Sequence, residues 1–178
     1  MYMRKGAAFV LAALLALSLC ACGGDVEGTE QEQATVHPLT NFTPEQVCDL
    51  FSQKVLEDDM YSDVLGLSFG EVSEADAGTY QLPMTLTKTK TAREGRLVLY
   101  ADESGNIEKA EISGAVDYTV LVRELFYSLD LPAAFAEDIN GSWAADLGES
   151  QEWERDGVRV HYESNADGSN HILSVCRA

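Results

Sequence analysis

Apolar residues recur along this chain with two periods, and the changes between the periods outline the predicted elements. The segment Thr43–Gln46 (TPEQ) has the features of a helix start, with a capping threonine, a proline in the first turn and a glutamine at the capping-box position. After it, apolar side chains follow a helical spacing: Val47, Leu50, Phe51 and Val55. The pattern predicts a helix that ends near Glu57–Asp59.

A period of two, typical of half-buried strands, governs seven other segments. They are Val64–Val72, Tyr80–Lys90, Arg96–Ala101, Ile107–Ser113, Glu152–Arg155, Val158–Glu163 and His171–Cys176. Glu74–Gly78 is predicted to be a turn, and Pro83 should face a sheet edge or a strand start because it lacks an N–H donor.

Two hairpin registers follow from the turns. Pairing Asp102 with Ile107 sets Leu97 and Leu99 opposite Ile112 and Ala110, and Arg96 and Val98 opposite Ser113 and Glu111. A two-residue turn at Asp156-Gly157 pairs Trp153 with Val160 and Glu154 with Arg159. In the same way, Leu173 and Val175 should lie with Val158 and Val160.

A second helical stretch lies between the two groups of strands. Its apolar stripe consists of Val116, Val120, Leu121, Leu125 and Leu129, with Phe126 beside it. Pro132 ends the stretch, and a short helix is predicted over Ala133–Asp138. Runs of strands joined by short turns, with helices between them, predict a single α+β domain over residues 43–178. We expect an antiparallel sheet of about seven strands with two or three helices packed on one face.

The N-terminal residues have the composition of a secretory signal. Arg4 and Lys5 precede an unbroken apolar run, Ala7–Leu19, and small residues follow it. The run is shorter than the roughly 20 apolar residues that span a bilayer. The uncharged stretch Gly6–Gly24 nevertheless leaves a retained membrane helix as an alternative.

The sequence Leu19-Cys20-Ala21-Cys22 resembles the lipobox of bacterial lipoproteins. Cys22 fits that motif better than Cys20, because the small Ala21 precedes it whereas the bulky Leu19 precedes Cys20. The resemblance implies signal cleavage between Ala21 and Cys22, and a diacylglyceryl group on Cys22 as the membrane anchor. The implied location is the outer face of the bacterial cytoplasmic membrane. The chain would then divide into a signal peptide (1–21), a disordered acidic tether (22–42) and the domain.

Acidic residues dominate the composition. The chain has 30 Asp and Glu against 12 Lys and Arg, and its formal net charge is −18. This charge argues against nucleic acid as a partner, because nucleic-acid binders need basic surface to neutralise phosphates. Two interpretations stay open: a soluble, aggregation-resistant surface, or a surface for a cationic or divalent-metal partner.

Few residues suggest a metal site. Glu152, His161 and His171 could bind zinc, but strand parity directs the two histidine rings to opposite faces of the sheet. Asp102–Asn106 superficially suggests a calcium loop, although a hairpin turn explains the same residues without the spacing of an EF-hand. The sequence therefore predicts no metal and no cofactor.

Catalytic residues are equally hard to find. Cys48 falls in an apolar helix stripe, which indicates a core position rather than a reactive thiol. Parity directs Cys176 away from Cys48, so we expect the two thiols to be unbridged. Trp143 is the best candidate for an exposed recognition aromatic, although core packing is the favoured interpretation for this residue. Acidic residues at the helix end Glu57–Asp59 are locally unfavourable, which is a weak functional hint.

These observations favour a membrane-tethered, extracytoplasmic binding or interaction lipoprotein of unknown ligand, attached to the membrane through the lipid on Cys22. A cell-envelope enzyme that acts on extracellular or wall material is one alternative. A protein inhibitor that inserts a hairpin loop into another protein is a second. The enzyme requires a cleft with convergent carboxylates or histidines, which the sequence does not show.

Overall fold

This computed structural model describes residues 38–88, 93–114 and 121–178. All of them belong to one compact unit, Val36–Ala178. The predicted signal peptide, the cleavage site after Ala21, the lipidation site Cys22 and most of the predicted tether lie outside the described residues. In the described part, no helix is both long enough and apolar enough to cross a membrane.

The described part contains three α-helices, eight strands and one π-helical turn. In chain order they are α1 (Pro44–Leu56), the π-helical turn (Met60–Val64), β1 (Leu67–Phe69), β2 (Ser73–Asp76), β3 (Thr79–Leu86), β4 (Arg93–Ala101), β5 (Ile107–Gly114), α2 (Val122–Ser128), α3 (Ala133–Ser142), β6 (Ser150–Arg155), β7 (Val158–Ser164) and β8 (His171–Arg177).

All eight strands form one antiparallel sheet, which confirms the predicted α+β class. The order across the sheet is β1-β3-β4-β5-β8-β7-β6, and β2 pairs with β3 beyond the end of β1. The pairing of β5 with β8 joins the two groups of strands into one surface. Helices α2 and α3 occupy the connection from β5 to β6.

The start of α1 follows the sequence signal. The Thr43 hydroxyl accepts a hydrogen bond from the backbone N–H of Gln46 (3.3 Å), and the Gln46 side-chain oxygen accepts one from the Thr43 N–H (3.0 Å). These two bonds satisfy N–H groups that the first helical turn leaves without intrahelical partners. One face of α1 is buried, through Val47, Cys48, Phe51 and Val55.

The chain joins the core before the predicted start of the domain. The sequence places Leu39 in the tether, whereas the structure buries its side chain in the core at 1% exposure. The Leu39 N–H donates to the Ile107 carbonyl oxygen at 2.8 Å, and the Arg177 guanidinium donates to the Pro38 carbonyl oxygen. A single apolar residue between Pro38 and Thr40 has no periodicity, so the sequence pattern could not indicate its burial.

The β4–β5 hairpin has the predicted register over most of its length. Leu97 lies opposite Ile112 and Leu99 opposite Ala110, and the pairs Arg96–Ser113 and Val98–Glu111 face the other side. The predicted pairing of Asp102 with Ile107 is wrong. A bulge after Tyr100 shifts the register by one residue and brings Ala101 opposite Ile107.

The first strands are shorter than the alternation predicts. Val64, the predicted first residue of the strand, belongs to the π-helical turn, and β1 covers only Leu67–Phe69. The predicted turn Glu74–Gly78 is mostly strand β2, and the chain reverses at Gly78. At this position a side chain would place its Cβ 2.5 Å from the Ala101 carbonyl oxygen, and φ is +76°, so glycine is required.

Pro83 lies in the middle of β3, with strands on both sides. Its carbonyl oxygen accepts from the Gly70 N–H at 2.9 Å, between the ends of β1 and β2. In a strand, the N–H and C=O groups of one residue point to the same side. The nitrogen of Pro83, which carries no hydrogen, therefore points to the break between β1 and β2, where no residue of either strand pairs with Pro83.

The second group of strands agrees closely with the sequence. The predicted pairs Trp153–Val160 and Glu154–Arg159 are present, and both turn residues have positive φ, +51° at Asp156 and +72° at Gly157. These angles are those of a type I′ turn. Leu173 and Val175 of β8 share one face of the sheet with Val160, as predicted.

The helical stretch between the strands is confirmed in part. Leu121, Leu125, Phe126 and Leu129 are buried, whereas Val116 and Val120 lie outside the described residues. Helix α3 extends to Ser142, beyond the predicted end at Asp138. The last turn is stabilised by the Ser142 hydroxyl, which donates to the Asp138 carbonyl oxygen at 2.6 Å.

The two faces of the sheet have different environments. The covered face carries Leu82, Leu97, Ile112, Val160 and Leu173, which form one apolar cluster with buried residues of all three α-helices. The open face carries the alternate residues, among them Arg96, Glu111, Arg159, His161 and Ser174. Helices packed on one side of an antiparallel sheet match the predicted architecture.

Candidate ligand-binding cleft

A cleft lies where the C-terminal end of α1 meets α2. Its volume is about 390 Å³, and it is open to solvent. Four acidic and two basic side chains line it: Glu57, Asp58, Asp59, Glu124, Lys54 and Arg123. The acidic helix end that the sequence singled out therefore forms one wall of a cleft.

Glu124 is the most unusual residue of this cleft. Its side chain is only 2% exposed. One carboxylate oxygen, Oε1, accepts from both Nε and Nη2 of Arg123, at 3.0 and 2.8 Å. The other oxygen, Oε2, is buried and has no hydrogen-bond partner within the described part of the chain. An unsatisfied buried acceptor costs about 1–3 kcal/mol, so it requires a reason.

The helical geometry of α2 explains why Glu124 is buried. Leu121 precedes it by three residues and Ser128 follows it by four, and both are buried. Residues with these spacings lie on one face of a helix. Glu124 therefore shares the inner face of α2 with the apolar stripe, whereas Arg123 beside it is 59% exposed.

The two basic residues of the cleft already have acidic partners. Lys54 Nζ lies 2.8 Å from Glu57 Oε2 and 5.1 Å from the centre of the Tyr127 ring. The hydrogen bond to Glu57 raises the pKa of Lys54, so this ammonium group stays protonated. Arg123 is paired with Glu124 in the same way.

Tyr61 adds a half-buried phenol beside the acidic groups. Burial, together with the negative charges of Glu124 and Asp58, raises the pKa of Tyr61 to about 12. The hydroxyl therefore keeps its proton at physiological pH and is a neutral group of the cleft region.

The histidines lie on opposite faces of the sheet, as strand parity predicted. His161 is on the open face, with Nδ1 4.0 Å from Glu152 and Nε2 3.6 Å from Glu163. His171 is buried on the covered face, with Nδ1 2.8 Å from the Tyr162 hydroxyl. Across the described ranges, no three His, Cys, Asp or Glu side chains converge in a way that could hold a metal ion.

The segment Asp102–Asn106 forms a hairpin turn, as predicted. Asp102 Oδ1 accepts from the backbone N–H groups of Ser104 (2.8 Å) and Asn106 (2.9 Å), and Oδ2 accepts from the Asn106 amide (2.9 Å). These bonds, the Asn106 side chain first, lower the pKa of Asp102. The carboxylate stabilises the turn.

The two described cysteines are unbridged, as predicted. Cys48 is fully buried in α1, and burial raises the pKa of its thiol to about 12. Cys176 lies on the open face, between Lys109 and Arg159 on the neighbouring strands. Because its thiol is buried and keeps its proton, Cys48 behaves as a small apolar core residue.

Trp143 belongs to an aromatic cluster instead of standing free. Its ring centre lies 4.9 Å from that of Trp153 and 4.4 Å from that of Tyr162. Trp153 Nε1 donates to the Ser142 hydroxyl at 2.9 Å. Trp143 is partly buried and packs against the core at the end of α3, in agreement with the favoured interpretation.

Glu124 is the site residue that the sequence analysis missed. The signal was present, because an acidic residue stood directly before Leu125 and three positions after Leu121 in the apolar stripe. A charge on the apolar face of a predicted helix indicates either a buried partner or a binding group.

Comparisons with protein families, with curated proteins and with solved structures find no match to this chain.

Proposed function

We propose that this protein is a lipid-anchored, extracytoplasmic binding protein of the bacterial cell envelope, with the cleft beside Glu124 as its ligand site. The anchor would be the lipid on Cys22, at the outer face of the cytoplasmic membrane. The observation that carries the binding role is the buried Glu124 Oε2, an acceptor without a partner in the described structure, on a residue that lines a solvent-open cleft.

The stability cost of Glu124 supports a binding role. An oxygen that is removed from water and left without a donor destabilises the folded state. A ligand that supplies the donor recovers this free energy on binding. Groups that reduce stability in this way are typical of functional sites.

The N-terminal residues support the location. A basic start, a short apolar run and the Ala21-Cys22 pair together resemble a lipoprotein signal. Two or more acyl chains are sufficient for stable anchoring without a spanning helix. The acidic surface also suits a soluble domain held close to the membrane without embedding in anionic lipid.

Membrane fractionation of the full chain in a bacterial host tests the location. We expect the protein in the membrane fraction, with a diacylglyceryl group on Cys22 detectable by mass spectrometry. Cys22→Ser should release the protein or leave it unprocessed, and Cys20→Ser, the matched control, should change neither. Acylation that persists in Cys22→Ser but is lost in Cys20→Ser would contradict the assignment.

A further inference from the structure

We infer that the cleft binds an organic cation that carries N–H donors, a protonated amine or a guanidinium group, through Glu124. This inference rests on the proposed ligand site and names its ligand class. It does not depend on the lipid anchor.

The charge of the cleft selects a cation. Its lining has four acidic and two basic side chains, and the whole chain carries a formal charge of −18. Both basic side chains are already paired, Lys54 with Glu57 and Arg123 with Glu124. An acidic cleft on an acidic protein concentrates cations and repels anions.

The unpartnered oxygen selects an N–H donor among the cations. Arg123 directs both of its N–H bonds to Oε1, so Oε2 accepts none from it. A bidentate arrangement, with one bond to each oxygen, would have satisfied the carboxylate. A charge-assisted N–H bond to Oε2 completes it, and a quaternary ammonium ion of equal charge cannot provide that bond.

Arg123 controls access to Glu124. Its guanidinium group is 59% exposed and is held at one oxygen of the carboxylate, whose own side chain is 2% exposed. Only the arginine of this pair is exposed, so the pair opens at little free-energy cost when a second cation takes the place of the guanidinium at the buried carboxylate. When Arg123 swings outward, a ligand cation can approach Glu124, so the arginine acts as an internal competitor for the ligand.

An organic cation fits the described residues better than a metal ion. No group of three His, Cys, Asp or Glu side chains in the described ranges could hold a metal. A single carboxylate oxygen in a cleft of about 390 Å³ suits one ammonium or guanidinium group with part of its alkyl chain.

Calorimetric titration of the full chain at low salt tests the inference. The probes are methylammonium, putrescine, spermidine, arginine methyl ester and a lysine tripeptide. Tetramethylammonium is the control, because it has the same single charge as methylammonium but no N–H. We expect saturable binding of at least one N–H cation and none of tetramethylammonium. Preference for free amines indicates a small-molecule source, and preference for the tripeptide indicates a basic side chain of a peptide.

Matched variants locate the site. Glu124→Gln keeps the size of the side chain and should weaken binding at least about tenfold. Glu137→Gln removes the same charge from the exposed surface of α3 and should change affinity less than about twofold. Arg123→Ala removes the competitor and should strengthen binding about two- to fivefold.

Three results would overturn the inference. They are no binding of any N–H cation, equal binding of tetramethylammonium, or unchanged affinity in a folded Glu124→Gln. If Glu124→Gln does not fold, as judged by circular dichroism, Arg123→Ala decides, and unchanged affinity in that variant also overturns the inference. Amine binding without Cys22-dependent anchoring would instead overturn only the proposed location.

Discussion

Residues of the same type have different surroundings on the covered side and on the open side of the sheet. Cys48 packs against the covered face and is buried, whereas Cys176 lies on the open face. His171 bonds to a buried tyrosine on the covered face, whereas His161 on the open face lies near Glu152 and Glu163. In this fold, the side of the sheet on which a residue lies determines its burial and its contacts more than the residue type does.

Polar contacts also differ between the two sides. The open face carries the exposed ion pair Arg159–Glu154 at 3.1 Å and the partly buried pair Lys109–Glu111 at 2.8 Å. On the helix side, the buried Glu124 has one oxygen without a partner in the described structure. Exposed pairs contribute little to stability, and an unsatisfied buried acceptor reduces it, so the stability of the domain depends on the covered face.

Truncation of a covered-face residue should have the largest effect. Leu97→Ala removes a fully buried side chain and should lower the free energy of unfolding by about 3 kcal/mol. Arg96→Ala, its neighbour on the open face, should change it by less than about 0.5 kcal/mol. Urea denaturation measures both, and equal losses would show that the open face is also covered in solution.

The buried thiol of Cys48 predicts an alkaline loss of stability. Its pKa is raised from 9.0 to about 12, so the unfolded chain releases the proton at lower pH than the folded chain. The stabilisation is therefore complete below pH 9 and is lost as the pH rises through 12. The slope due to this group approaches about 1.4 kcal/mol per pH unit.

Cys48→Ala provides the check. The variant should be less stable than the parent at neutral pH, because it leaves a small cavity. Between pH 9 and pH 11 its free energy of unfolding should fall less steeply than that of the parent, as measured by denaturation at each pH. Parallel curves would mean that the thiol is hydrated in solution.

Replacement of the buried carboxylate should have a smaller effect of opposite sign. Glu124→Met removes the oxygen that has no partner in the described structure and leaves Arg123 in solvent. The free energy of unfolding should therefore rise by about 1 kcal/mol, and the melting temperature should rise with it. Calorimetry measures the shift. A large destabilisation would instead indicate that the carboxylate is fully satisfied in solution.

The smallest effect concerns the exposed ion pair between Glu154 and Arg159 on the open face. A double-mutant cycle with Glu154→Ala and Arg159→Ala should give a coupling energy of about 0.5 kcal/mol or less. The coupling should disappear at high salt, because exposed charges are screened. A coupling that persists at high salt would contradict the exposure of this face.

The hairpin registers could be predicted because their causes are local. Alternation in β4 and β5, and the Asp156-Gly157 turn between β6 and β7, fix which residues face each other in strands that follow one another directly along the chain. The capping box at Thr43 is local in the same sense. The alternation of apolar and polar residues indicated neither the bulge after Tyr100 nor the π-helical turn.

The candidate cleft was only partly predictable. The acidic helix end Glu57–Asp59 stood out because it opposes the helix dipole. The position of Glu124 opposite this helix end depends on how α2 packs against α1. The same packing leaves one carboxylate oxygen of Glu124 bonded and the other without a partner in the described structure. A sequence pattern gives the face of a helix but not the element it meets.

The attachment of Leu39 has a mechanical consequence. A pulling force on the chain ahead of Pro38 reaches the domain through the Leu39–Ile107 backbone bond and the clamp of Arg177 on the Pro38 carbonyl oxygen. These bonds transfer the load to β5 and β8, which are neighbours in the middle of the sheet. The load therefore bypasses α1 and the cleft at the C-terminal end of that helix. A force on the segment ahead of Pro38 should leave the groups around Glu124 undistorted.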